Sequence, residues 1–320
     1  MPPPRPQPAM TAAIPLAMAI ALMAGSAQAG IGFLSPEGPV AALQREQFWR
    51  IIVITMIVVV PVLLGVPLLA WRYRHGNARA RYAPHWDLSR PLEWVMWLVP
   101  AGIVVVLGTF LWQDTHKLDP YRPIAGPTPP LQVQVVGLDW KWLFLYPEQG
   151  IATVGELAFP QDRAVSLELT TDTVMQSFMI PQLVGQIYAM PGMRTKLNFA
   201  ADQTGDFAGF NTQYNGKGFH EQRFAARAME PAAFDAWVAE VKDQGVPLDA
   251  ATYARLAGQS TPAEVRKGFG TAGMPEDVTY FSGIAPGLFD GVLGRYMSGR
   301  ALADAAQPGA PDYHPQTSGE

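Results

Sequence analysis

The 320-residue chain contains no cysteine. Without thiols it can form no disulfide, hold no thiolate zinc cluster, supply no thiol nucleophile and accept no lipid on an N-terminal cysteine. A metal centre bridged by thiolates is excluded on the same ground. The redox compartment is therefore not legible from thiols and has to come from topology. Histidine is scarce, at five, and cations are fewer than anions, 23 against 27. That imbalance is uneven along the chain: the first 113 residues carry 8 Lys and Arg against 4 Asp and Glu, the remainder 15 against 23. The acidic second part argues against a nucleic-acid partner. No spacing suggests a Ser-His-Asp arrangement, a phosphate loop or paired acid–base carboxylates, so an independent enzyme is not expected.

What the chain does have is apolar sequence, 49% of all residues, concentrated enough that part of it must face lipid. A short apolar run at 12–25 leads into Ser26, Ala27, Gln28, Ala29 and Gly30. This is the small-residue pattern of a secretory signal over 1–29 with cleavage after Ala29; an uncleaved anchor is the alternative. The cationic region ahead of it offers only Arg5, and Met10 is a second possible start. After an external segment at 30–47, residues 48–71 and 92–112 each suffice to cross roughly 30 Å of hydrocarbon at about 1.5 Å per residue. Arg50 is the one charge of the first span and sits near its end, where the stem reaches the interface. Trp49, Trp71, Trp94, Trp97 and Trp112 lie towards the span ends, as interfacial aromatics do. The intervening loop, 72–91, holds Arg72, Arg74, Arg79, Arg81 and Arg90 against Asp87 alone. That excess predicts a cytoplasmic loop, with both ends of the mature chain outside. Pro61, Gly65 and Pro67 suit a bend in the first span.

A proline-rich linker, 113–130, precedes a change to period two. Leu131, Val133 and Val135 alternate with polar neighbours, as do Val165, Leu167 and Leu169; 195–200 and 223–228 are further strands. Turn pairs such as Gln149-Gly150 and Asn215-Gly216 punctuate them. Short strands separated in this way predict a Greek-key sandwich or barrel over 131–228. A helical appendage follows at 229–302. Its first helix starts at Pro231 and aligns Phe234, Trp237, Val238 and Val241; 248–256 and 286–297 are two more candidates. Residues 303–320 read as a tail without structure.

Four stretches then carry a resemblance: Gly137-Leu138-Asp139-Trp140-Lys141-Trp142; Tyr146-Pro147-Glu148-Gln149-Gly150-Ile151; Ser177-Phe178-Met179-Ile180-Pro181; and Gln186-Ile187-Tyr188-Ala189-Met190-Pro191-Gly192-Met193. With the order of spans and strands, the chain resembles subunit II of the haem-copper terminal oxidases, in the bo-type ubiquinol oxidase branch, over about residues 44–298. The resemblance implies a two-helix transmembrane hairpin carrying an all-β, cupredoxin-like Greek-key domain with a C-terminal α-helical appendage. It implies a bacterial inner-membrane protein whose N-terminus and large domain are periplasmic. The expected partners are subunit I, which would hold the haems and copper and take ubiquinol from the membrane, and other small oxidase subunits. Many relatives carry a lipobox cysteine after the signal; here alanine and glycine stand there and no lipid anchor is expected.

In the cytochrome c oxidase relatives a histidine precedes a Ser-aromatic-x-x-Pro segment, and a second cluster reads C-x-E-x-C-x3-H-x2-M. Gln176 stands at the first histidine, Tyr214 and Gly218 at the cysteines, Gly216 at the glutamate, Gln222 at the second histidine and Ala225 at the methionine. Amide, phenol and glycine cannot replace bridging thiolates and imidazoles. No metal and no cofactor is therefore expected in this chain, and His220 reads as a surface residue. Trp140 and Trp142 stand where the copper-bearing branch receives electrons, but without a metal beneath them packing is the expected role. Glu93, about one turn into the second span, is either an interfacial carboxylate or, as the resemblance implies, the entrance of a K-type proton channel completed by subunit I. Two alternatives remain: a cytochrome c oxidase subunit II that has lost its binuclear copper, and a free membrane-tethered binding module of cupredoxin fold.

Overall fold

The computed structural model describes residues 32–77, 80, 88–270, 274–275, 277–297, 303–310 and 312–313. The signal-peptide expectation over 1–29, residues 78, 79 and 81–87 of the arginine-rich loop and the end of the tail lie outside the described residues. Two long helices come first, α1 (Pro39–Arg72) and α2 (Arg90–Lys117), both opened by proline in the first turn, where a missing N–H costs nothing. Each is long and apolar enough to cross a membrane, and the most apolar window of each is wholly unburied within the chain. Both extend past the predicted spans. At 34 residues α1 is about 51 Å long, more than a bilayer core requires. Its surplus is at the N-terminal end, where Ala41 is buried and Val40 packs on the β domain. The backbone ahead of it is pinned there too: Glu37 N donates to Gln182 O at 2.8 Å, and Asp202 N to Glu37 O at 2.9 Å. α1 continues through Pro61 and Pro67.

Among the described residues, twelve strands form two sheets. β1 (Leu131–Leu138), β2 (Lys141–Tyr146), β3 (Ile151–Val154), β5 (Val165–Thr171) and β8 (Thr195–Phe199) belong to one sheet, joined by β11 (Val246–Leu248) and β12 (Thr279–Ile284) in the order β11-β12-β3-β2-β1-β5-β8. The other comprises β4 (Glu156–Pro160), β6 (Gln176–Ile180), β7 (Val184–Ala189), β9 (Gly205–Asn211) and β10 (Arg223–Met229) in the order β4-β10-β9-β6-β7. Pairs β1/β5, β4/β10 and β11/β12 are parallel and the remainder antiparallel. The predicted Greek-key domain is thus a sandwich.

The larger sheet is covered on both faces, and β2 shows how. Trp142, Phe144 and Tyr146 point into the core between the sheets, while Leu143 and Leu145 point into a second core beneath the appendage. Every residue of β2 is consequently buried. The second core is closed by α4 (Ala250–Ala257), α5 (Pro262–Phe269) and α6 (Leu288–Arg295) through Tyr253, Leu256, Val265, Phe289 and Val292. Helix α3 (Pro231–Gln244) does not join them; its Phe234, Trp237 and Val241 belong to the inter-sheet core.

Two expectations change. The appendage is not purely helical, because β11 and β12 extend the larger sheet from within it; 248–256 divides into the end of β11 and a helix capped by Asp249, which accepts from Thr252 N. Nor are residues 303–313 all without structure. A short 3-10 turn spans Asp304–Ala306, Gln259 Nε2 donates to Gly309 O at 2.6 Å, and Tyr313 packs on the second core.

Candidate functional site

Three segments meet at one end of the sandwich: the β1–β2 turn, the first residue of β6, and the β9–β10 loop with its 3-10 turn Phe219–Glu221. They bring the two positions of lost imidazoles together. Gln222 Nε2 donates to Gln176 Oε1 at 2.6 Å, and both residues are fully buried. The same Nε2 is within 3.3 Å of Leu138 O and of Lys141 O. Gln176 Nε2 donates to Leu138 O and to Thr173 Oγ1, each at 3.1 Å. Gln222 Oε1 accepts from Asn211 Nδ2 at 3.0 Å and from Asn215 Nδ2 at 2.8 Å. Asn211 Oδ1 in turn accepts from Ser177 N and Gln213 N, each at 2.9 Å. Gly137 makes room for the network, since a Cβ there would lie 2.5 Å from Gln176 Oε1.

The other positions do not converge. Tyr214 is 72% exposed and tilts against Phe219. Gly216, at φ +114°, and Gly218 border the indole of Trp140; a Cβ on Gly218 would collide with that ring. Trp140 is half-buried and its Nε1 donates to Asn215 O at 3.1 Å. Trp142 is fully buried edge-on to Phe178, 5.3 Å between centroids, in the inter-sheet core. Ala225 lies within β10 opposite Ala208 and Glu156, inside the strand ladder. His220 is exposed, 3.4 Å from Glu221.

A binuclear copper site requires thiolates shared between the metals and imidazoles completing each shell. The residues here do not fit that group. Its thiolate positions hold an outward phenol and a glycine under an indole, and its imidazole positions hold amides that satisfy each other. Neutral amides in such a network hold the loops by hydrogen bonds that keep one another polarised.

Sequence reasoning placed Gln176 and Gln222 but missed Asn211 and Asn215, which complete the network. Asparagine carries no metal-ligand signature, and only the Asn215-Gly216 turn hinted at the second. Lys141 was also missed as more than part of a motif. It is fully buried, and its Nζ donates to Asp139 O, Gly258 O and Ser260 O at 3.1, 2.8 and 3.2 Å, joining the sandwich to the end of α4. Burial pushes its ammonium down to about 7 against the pull of Asp139 and Glu264. Asp172 is a second buried charge: Arg295 Nη1 reaches both its oxygens at 2.8 Å, Tyr253 donates to Oδ2 at 2.6 Å, and Tyr296 donates to its carbonyl at 2.7 Å. A third, Glu156, faces Arg227 at 2.8 Å, Tyr280 at 3.0 Å and Trp237 at 3.2 Å.

Glu93 lies in the exposed first turn of α2. At the other end of that helix, Asp114 is buried and accepts from Arg50 of α1 at 3.1 Å; Arg50 also pairs with Glu46 at 2.6 Å. The 21 residues from Glu93 to Asp114 correspond to about 31 Å of helix, a bilayer core apart.

No family model matches the chain. It is 43% identical over 281 residues to the cytochrome bo(3) ubiquinol oxidase subunit 2 of Pseudomonas aeruginosa, covering 88% of this chain and 80% of that protein. It is 40% identical over 271 residues to the ubiquinol oxidase subunit 2 of Acetobacter aceti, covering 84% of each. Among solved structures, the periplasmic domain of cytochrome oxidase subunit II from Bradyrhizobium japonicum aligns with a TM-score of 0.35 at 24% identity, over 36% of this chain and 96% of that one.

Proposed function

The chain belongs to the ubiquinol oxidase subunit 2 family, and from that premise we propose that it is the membrane-anchored, non-redox subunit of a proton-pumping quinol oxidase. In this reading subunit I holds the haems and copper, oxidises ubiquinol and reduces oxygen, with other small subunits alongside. The present chain braces it through the α1–α2 hairpin and the external sandwich. Because helices already in lipid gain little from apolar contact, close packing and the domain supply most of the association. The arginine excess between the spans supports an inner-membrane hairpin with its loop in the cytoplasm and the sandwich in the periplasm. Glu93 would then face the cytoplasm and admit protons to a K-type channel.

The observation that carries the non-redox role is the hydrogen bond from Gln222 to Gln176: the residues in the imidazole positions bind each other. The test is affinity purification of the tagged chain in mild detergent. A haem-bearing large subunit with ubiquinol oxidase activity is expected, with a copper content unchanged by Gln222→Ala. Recovery of the chain alone would overturn the bracing role, and copper lost with the glutamine would overturn the non-redox role.

A further inference from the structure

The chain ahead of α1 does not lead away from the helix but runs alongside it. One end of this strap is held at the sandwich: Glu37 is pinned by its hydrogen bonds with Gln182 and Asp202, and a Cβ on Gly38 would collide with Ala200 O. The other end lies far down the helix. Arg45 Nη1 donates to Leu34 O at 3.4 Å, and the Phe33 ring stands edge-on to that of Phe48, 5.1 Å between centroids. Phe48 in turn lies 5.4 Å from Trp49. The nine residues from Pro39 to Phe48 correspond to about 13.5 Å of helix, so Phe33 is carried about that far from the sandwich towards the membrane. The strap turns there, Ser35 N donating to Gly32 O at 3.0 Å.

Depth is set by the sequence of α1. Residues 51–71 carry no charge and correspond to about 31 Å, a bilayer core. Phe48 and Trp49 therefore stand about 3–5 Å outside the hydrocarbon, in the headgroup layer. Arg50, between them and the core, turns its guanidinium outward to Glu46, one turn nearer the sandwich. At this level Leu34 and Trp49 are 43% and 53% exposed and Phe33 is half-buried. Apolar and aromatic side chains bared at headgroup depth gain by inserting there, where interfacial aromatics gather.

We propose that the strap 32–35 lies on the membrane surface as an interfacial attachment, with Phe33, Leu34 and Trp49 inserted among the lipid headgroups of the leaflet facing the sandwich. The attachment rests on the membrane-anchored placement of α1 and is independent of the redox and proton roles. It fixes the depth and tilt of α1 in the bilayer from outside the span.

Because this chain has no cysteine, a nitroxide label can be placed at Gly32→Cys, where a Cβ meets no described atom within 4 Å. The intact oxidase is reconstituted in lipid nanodiscs, with the unsubstituted complex labelled in parallel to subtract signal from other subunits. Collision with dissolved oxygen, which concentrates in lipid, is compared with collision with a water-soluble nickel chelate. The ratio of oxygen to chelate collision should be severalfold higher at position 32 than at Lys217→Cys, an exposed position of the β9–β10 loop. Leu34→Gln should then raise chelate collision at position 32 severalfold, with subunit ratio and ubiquinol oxidation unchanged. An exposed leucine facing water would tolerate that exchange without moving the label. Three results would each overturn the proposal: a ratio at position 32 equal to that at 217, low collision with both reagents, which marks a protein cover, or no response to Leu34→Gln.

Discussion

At the scale of single residues, the amide network gives the sharpest expectation. Replacing Gln222 by alanine takes a partner from Gln176 Oε1, Lys141 O and Asn215 Nδ2, while Leu138 O keeps Gln176 Nε2 and Asn211 Nδ2 keeps Gln213 O. Unsatisfied buried groups each cost about 1–3 kcal/mol, partly recovered where water can enter. The oxidase should therefore unfold at lower temperature by calorimetry, with haem and copper per complex unchanged. Lys141 adds a pH signature. In the unfolded chain its amine keeps a proton up to about 10.5, in the folded chain only up to about 7. Between these values unfolding takes up a proton, so stability rises with pH across that window and is flat in this respect below it. Lys141→Met should remove that component of the slope. It should also lower stability towards the alkaline end of the window, by about 1–3 kcal/mol for the carbonyls left without a donor, and not below the window, where removing the buried ammonium offsets that loss. Thermal melts across the window, native against variant, measure both. Legibility at this scale followed chemistry: motif spacing reached Gln176 and Gln222, whereas Lys141 became visible only once α4 brought two carbonyls to it across more than a hundred residues.

At the scale of elements, the buried Asp172 decides how the appendage holds. Burial raises its pKa and Arg295 opposes that rise, so Arg295→Ala leaves a buried carboxylate with hydroxyl donors alone. Breaking one side of a buried pair costs about 3–5 kcal/mol. The loss should be local, because Arg295 ends α6 and Tyr253 lies on α4. Amide exchange should accelerate in Ala250–Ala257 and Leu288–Arg295 while the centre of β1 stays protected. Uniform acceleration would show that sandwich and appendage open as one unit. The same two-core arrangement explains which elements the sequence revealed. β1, β5, β8 and β10 show alternation or short β-prone runs, and α3 keeps its apolar spacing. β2 alternates between two apolar cores instead of between core and water, so its period vanished. β11 and β12 are too short, and too dependent on a distant sheet edge, to announce themselves.

At the scale of the whole molecule, the end of the hairpin beside the sandwich is tied to itself and to the sandwich, whereas the far end carries an exposed carboxylate. Arg50 and Asp114 close the sandwich end, so Glu93, about a bilayer core away along α2, is not part of that ion pair. An exposed acid within a membrane-spanning helix is costly to retain unless a polar path, another subunit or headgroup water receives it. If it opens a proton path in subunit I, Glu93→Ala in the assembled oxidase should reduce oxygen consumption and proton translocation severalfold. Subunit ratio and haem content should be unaltered, and Glu93→Asp should retain part of the rate. If it only meets headgroup water, all three forms should turn over alike, and the proton role falls while the bracing role stands. Proton release from the assembled complex in sealed vesicles separates the two, because a brace alone affects how much oxidase assembles and not how fast each assembled complex takes up protons.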